Sequence, residues 1–173
     1  MAIHHPPASE LSPTQHTLEQ TRAPVILLPM LKLPLVLYRL RLGWLLGHRF
    51  LRLTHVGRRS GKLRQTVLAV LSFDEQSREI KAVSAWNASE WYKNIQAAPA
   101  LQVETGLTRY APAQCDLSSE EIAQLFVDFR RQHPLFCRMV CRIPGWKWDS
   151  SYDEFLQLAR TLRGVAFRPK QEA

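Results

Sequence analysis

Leu53-Thr-His-Val-Gly-Arg-Arg-Ser-Gly-Lys-Leu-Arg-Gln-Thr-Val-Leu68 decides how the chain is read. An apolar, β-branched run reaches Val56, a Gly-Arg-Arg-Ser-Gly turn follows, and a second apolar run extends from Leu63 to Phe73. Two such runs around a glycine-bearing turn predict a β-hairpin with cations at its bend. Gly57 and Gly61 are expected to supply the positive φ of a tight reversal. They should also leave backbone N–H groups uncrowded beside Arg58, Arg59, Lys62 and Arg64. Amides and guanidinium forks together suit phosphate or clustered carboxylates. A solvated basic turn without a ligand fits the same residues.

Beyond the hairpin, Asp74 to Glu79 is polar and reads as a turn, and Ile80 to Ala85 reads as a third strand. A second block, Val83-Ser-Ala-Trp-Asn-Ala-Ser-Glu-Trp-Tyr-Lys-Asn-Ile-Gln-Ala-Ala-Pro99, follows. Within it Ser89 is the expected N-cap of a short helix that buries Trp91, Ile95 and Ala98 and stops at Pro99. Leu101 to Glu104 and Tyr110 to Cys115 alternate as a second hairpin around Gly106. Ser118 and Glu121 form a capping box ahead of Ile122, Leu125, Phe126 and Phe129, and this helix ends at His133-Pro134. Leu135 to Cys141 continues as a shorter helical piece. Ser151 and Glu154 box a last helix carrying Phe155, Leu158, Ala159 and Leu162, and Val165 to Phe167 adds a final strand. Short strands in front and helices mostly behind predict an α+β chain on a closed or nearly closed antiparallel sheet.

Upstream of the hairpin, residues 1–22 carry His4, His5 and several prolines without burying periodicity, which predicts a flexible leader. Residues 23–169 are expected to form one domain and 170–173 a short tail. Within it, Pro24 to Phe50 is strongly apolar but is interrupted by Lys32, Arg39, Arg41, Pro29 and Pro34, which argues against a transmembrane helix. Two readings stay open for residues 24–47: packing against the barrel or a partner subunit, and peripheral contact with an anionic membrane.

At 173 residues with 46% hydrophobic content, the chain is long enough for a real core. Its net charge of +8 favours anionic partners without choosing among them. Three cysteines lack a disulfide framework, and no secretory signal opens the chain, so a cytoplasmic, reducing location is expected. Cys137 and Cys141 share a helical face but lack a second ligand pair for zinc, so packed thiols are expected and no metal site is assigned. No G-x-S-x-G elbow, Walker loop or G-x-G-x-x-G is present. His55 sits in a strand, where a packed or hydrogen-bonded role is expected. The arginines cluster at one turn without an aromatic platform for single strands, so no nucleic acid partner is expected. A small-molecule ligand and cofactor chemistry remain.

Taken together, the two blocks resemble the deazaflavin (F420)-dependent nitroreductase family. The carriers are T-x-x-G-R-[RK]-[ST]-G-x-x-R-x-T-x-L at Thr54 to Leu68, V-S-x-[WF] at Val83 to Trp86, and [DE]-W-Y-x-N-[IL]-x-A-x-P at Glu90 to Pro99. The resemblance runs from near Pro34 to Pro169. It implies a split β-barrel of about six antiparallel strands with flanking helices, related to the FMN-binding pyridoxamine-phosphate-oxidase-like barrels. It implies coenzyme F420, with FMN as the alternative, and hydride transfer from the reduced deazaflavin to a quinone, nitro compound or activated alkene. By resemblance, Arg58, Arg59 and Arg64 bind the phosphate and acidic tail, assisted by Ser60, Gly61 and Thr66. Ser84 and Ala85 would lie near the ring, with Trp86 and Trp91 offering flat faces, although ordinary core packing stays open for both tryptophans. Better-known relatives carry S-K-G-G where this chain has Ser84-Ala-Trp-Asn87. Tyr92 is the candidate for a catalytic hydroxyl. A non-catalytic carrier of a flavin, haem or lipid-like ligand is the reading from another class, and a homodimer is an open expectation.

Overall fold

The computed structural model describes residues 47–84 and 89–170. The expectations for residues 1–46, for Ala85 and Trp86, and for 171–173 lie outside the described residues.

Seven strands form one antiparallel sheet: β1 (Phe50–Val56), β2 (Leu63–Phe73), β3 (Ile80–Val83), β4 (Gln102–Thr105), β5 (Thr108–Tyr110), β6 (Pro112–Leu117) and β7 (Gly164–Pro169). Their order is β5-β4-β1-β2-β3-β7-β6. Strand β2 serves both halves. Its first part registers with β1, Leu53 opposite Thr66 and His55 opposite Arg64, and its last part registers with β3. Partners change between Ala69 and Val70, and just inside the β3 pairing the register slips at Val70/Ser72, a bulge that bends the strand.

Two expectations in the strand pattern are corrected: the third strand stops at Val83, leaving Ser84 outside it, and the second hairpin arm divides. The alternation from Tyr110 to Cys115 breaks into β5 and β6 with Ala111 between them, and the two pair with β4 and β7 respectively. This makes seven strands where about six were expected. The chain thereby passes from one edge of the sheet to the other. The Tyr110 hydroxyl lies 3.0 Å from the Phe167 carbonyl and 2.6 Å from that of Arg78, pulling the edges toward closure. The result is a nearly closed, antiparallel split barrel.

Alternation along each strand divides the apolar residues between two cores. Leu51, Leu53, Val70, Ile80, Ala82, Val103, Val165 and Phe167 pack inside the barrel, together with Trp91 and Ile95 of helix α1 (Glu90–Ala97). Leu71 and Val83 point to the other face. That face is covered by α2 (Ser119–Gln132), α3 (Pro134–Arg142) and α4 (Tyr152–Ala159), among which Phe126 and Phe155 stack 5.3 Å apart. Both α2 and α4 start with the expected capping boxes, Ser118 with Glu121 and Ser151 with Glu154. Cys137 and Cys141 are fully buried in this core as free thiols with sulfurs 3.9 Å apart. Among the described residues, no helix is long and apolar enough to cross a membrane.

Candidate cofactor-binding site

The bend between β1 and β2 closes on its own backbone. Gly57 N–H donates to the Lys62 carbonyl at 2.9 Å, and the Ser60 and Gly61 N–H groups both donate to the Gly57 carbonyl, at 3.1 and 2.8 Å. Gly61 has φ +65°, as a tight reversal requires. Gly57 does not, so the expectation of positive φ at both glycines is corrected. Its missing side chain serves close approach instead: a β-carbon there would stand 2.8 Å from Arg64 Nε and 2.9 Å from Ser60 Oγ. The expected nest of free amides is corrected as well, because those of Gly57, Ser60 and Gly61 are spent within the turn. Recognition at this bend therefore falls to side chains.

Helix α1 crosses beside the bend and presents a different group on each of its sides. Glu90 and Asn94, one turn apart, face the bend. Arg58 places its guanidinium against Glu90, with Nη1 2.8 Å from Oε2 and Nη2 3.3 Å from Oε1. Nη1 also reaches Asn94 Oδ1 at 3.2 Å, and the Arg58 main-chain N–H donates to the same oxygen at 3.1 Å. The Arg58 hydrogen bond, reinforced by the charges of Arg58, Lys93 and Arg59, holds the Glu90 carboxyl below the usual carboxylate range. Arg58 is thus already forked onto the helix. Arg59 and Arg64 are exposed, and among the described residues neither forms a salt bridge.

Together Gly57, Arg58, Arg59, Ser60, Arg64, Glu90 and Asn94 line an open depression of about 260 Å³. Its floor is bare backbone at Gly57, over which the Arg64 guanidinium and the Ser60 hydroxyl fold. Two unpaired guanidinium groups above a glycine floor suit the phosphate and carboxylates of an anionic cofactor, since charge-assisted and bidentate hydrogen bonds are the strong ones.

Beneath the depression lies a polar group that the sequence reading gave no site role. His55 is 1% exposed, with Nδ1 3.3 Å from Asn94 Nδ2 and Nε2 3.1 Å from Thr66 Oγ1. Burial pushes its pKa down, and the Arg64 charge across the strand pair adds to this. Two signals for this group were present: His55 continues the inward series Leu51, Leu53, and Asn94 follows Glu90 at helical spacing.

The remaining expected site residues fall elsewhere. Thr66 is half-buried and tied to His55. Ser84 is fully buried; its Oγ lies 2.7 Å from Ser89 Oγ, and its N–H donates to the Arg163 carbonyl at 2.7 Å. Ser89 was expected to cap α1, but its hydroxyl makes no cap hydrogen bond. The two serines instead hold together the ends of the stretch 85–88. Trp91 is buried in the barrel core, where it meets Tyr92 edge-on, and does not line the depression. Tyr92 lies on another side of α1, its hydroxyl donating to Asp116 Oδ2 at 3.1 Å. Burial and the Asp116 charge raise its pKa, keeping it protonated.

A split barrel with a cationic depression at one hairpin bend is a frame that can hold an anionic group. The chain belongs to the F420H(2)-dependent quinone reductase family, whose profile matches residues 39–139, more than half of the 173. No curated protein matches the chain. Among solved structures, it is similar to an F420-H2 dependent reductase (FDR-A) at 17% identity, covering 70% of this chain and 96% of that one with a TM-score of 0.45. It is also similar to a pyridoxamine 5′-phosphate oxidase-related, FMN-binding protein from Nostoc punctiforme, at 15% identity, 80% of each chain and a TM-score of 0.42. A third likeness is to the haem storage protein HutZ from Vibrio cholerae, at 11% identity, 78% and 90% coverage and a TM-score of 0.44.

Proposed function

We propose that this protein binds reduced coenzyme F420 at the arginine bend and reduces a small electrophile, with a quinone as the leading substrate class and nitro compounds or activated alkenes as further ones. Membership of the family supports the cofactor. The observation that carries the site is that Arg59 and Arg64 line one depression, Arg64 folded over Gly57, and that among the described residues neither forms a salt bridge. These two groups grip the phosphate and the acidic tail. Arg58 orders the bend through Glu90 and Asn94, and the neighbouring Ser60 hydroxyl supplies a neutral donor. When bound, the reduced deazaflavin supplies a hydride in a two-electron step. The protein's part at this end of the cofactor is to hold the anion and so fix where the remainder can lie.

Titration of F420 fluorescence with the wild-type protein and with Arg59→Ala/Arg64→Ala tests this reading. Each lost charge-assisted contact is expected to weaken binding about tenfold or more. F420H2-dependent reduction of menadione should weaken in parallel. Equal affinity in wild type and double variant overturns the assignment. Two guanidiniums also suffice for one phosphate, so FMN is the second ligand to titrate, and a preference for FMN would move the protein to flavin chemistry on the same barrel.

A further inference from the structure

We propose that Asn94 and His55 are positioning residues for the arginine bend, acting through a one-way hydrogen-bond chain that runs from Arg58 to Thr66. The inference rests on the bend being the anion site proposed above, and it concerns what holds that site in shape.

Asn94 and His55 are 4% and 1% exposed, so each polar atom must find its partner inside the protein. Asn94 Oδ1 faces two donors of Arg58, the main-chain N–H at 3.1 Å and Nη1 at 3.2 Å. Neither can accept, so this end of the amide must be the oxygen. Its Nδ2 then donates to His55 Nδ1 at 3.3 Å. With Nδ1 accepting, the neutral ring carries its proton on Nε2, which donates to Thr66 Oγ1 at 3.1 Å. Each link dictates the next. The chain ties the β1–β2 hairpin to α1, an element that no covalent turn brings to this point.

The consequence falls on the backbone. Arg58 opens the bend, and its N–H is fixed by Asn94; Gly57 just before it accepts from Ser60 and Gly61. The path of Arg59 is thus set from both sides. Losing the Asn94 acceptor leaves the Arg58 N–H without its partner and frees its guanidinium from one of two anchors. Arg59 is then no longer held beside Arg64 at the depression.

The full-length protein tests this with two ligands and one spectroscopic readout. The ligands are F420 and inorganic tripolyphosphate, an anion the arginines should take whichever cofactor the protein uses. The readout is the ¹⁵N shift pair of the His55 ring. In the wild type, the ring should be the neutral Nε2–H form. In Asn94→Asp a carboxylate faces Nδ1 while Arg58 keeps its acceptor. The ring should then take a proton on Nδ1, a response that a histidine merely packed beside Asn94 would not show. In Asn94→Leu, with folding checked by its urea midpoint, tripolyphosphate and F420 affinity should both fall about tenfold or more. KM for F420H2 should rise while kcat holds within about twofold, the signature of lost uniform binding.

Unchanged tripolyphosphate affinity in folded Asn94→Leu overturns the proposal, as does an Nδ1–H ring in the wild type. Should Asn94→Leu fail to fold, Asn94→Asp decides alone: a proton moved to Nδ1 supports the chain, and a ring that stays in the Nε2–H form overturns it. Tripolyphosphate binding that depends on Asn94, without F420 binding, sinks the functional reading and leaves the positioning claim standing.

Discussion

A β-carbon on Gly57 would stand 2.8 Å from Nε of Arg64, so the guanidinium rests where any other residue would put its side chain. Gly57 does not adopt positive φ, and the atoms in the way belong to movable side chains. Gly57→Ala should therefore fold with a stability within about 1 kcal/mol of wild type. Its F420 affinity should fall about tenfold or more as Arg64 is displaced. Urea unfolding and fluorescence titration on the same preparation separate the two effects. Undiminished affinity would show that Arg64 does not need this seat.

Tyr92 is the hydroxyl that the sequence reading put forward for catalysis, and the structure assigns it a neighbour instead. It donates to Asp116, as does Gln96 Nε2 at 3.1 Å, so two residues of α1 share one carboxylate of β6. Tyr92→Phe should cost about 1 kcal/mol of stability and leave kcat for menadione reduction within about twofold of wild type. A large fall in kcat at unchanged F420 affinity would return Tyr92 to the chemistry as a proton donor.

Local signals carried most of the fold. The bend at 57–62, the two capping boxes and the runs flanking the bend each depend on residues a few positions apart and form where they were read, though positive φ holds at Gly61 and not at Gly57. The break at Ala111 was not legible, because alternation passes through it and only the different partners, β4 for β5 and β7 for β6, divide the run. Within the site, the cations were legible and their partners were not. Arg58 meets Glu90 and Asn94 across 32 and 36 positions, a pairing that only the packing of α1 against the bend creates. Ser89 reads as a helix cap by position, yet a buried serine five residues earlier takes its hydroxyl. Trp91 reads equally as a ring face or a core residue, and the structure places it among the buried residues of the barrel.

His55 gives stability a definite pH dependence. Its folded pKa lies below the ordinary 6.5 because burial disfavours the imidazolium. Above 6.5 the ring is neutral in both folded and unfolded chains, and its contribution is fully present. Below 6.5 the unfolded chain takes up a proton that the folded one refuses, and stability is lost as pH falls toward the folded pKa. The slope in that window stays below about 1.4 kcal/mol per pH unit, the value that a full proton would give. His55→Gln keeps an amide able to accept from Asn94 and donate to Thr66, but it cannot titrate. Urea unfolding between pH 8 and 5 should show this component in wild type and not in the variant; identical slopes would mean that the ring accepts its proton inside the fold.

Gly164 is where the barrel and its helices come closest. It opens β7 opposite Val83 and Leu117, and a β-carbon there would meet Ile122 Cγ1 at 2.9 Å and Leu117 Cδ1 at 3.1 Å. Unlike the seat at Gly57, this one is bordered by a side chain that is 1% exposed and locked in the core between β6 and α2. Ile122 cannot swing away into solvent, and only the half-buried Leu117 has room to yield. Gly164→Ala should therefore cost about 1–3 kcal/mol through overpacking, seen as a melting temperature lower by roughly 2–4 °C for each kcal/mol. The arginine depression is lined by none of these residues, so F420 affinity below the melting transition should match wild type. A variant as stable as wild type would show that α2 can lift from the sheet without cost. A variant that melts as expected but also loses F420 would show that the helical layer and the bend are coupled through β2, the strand they share.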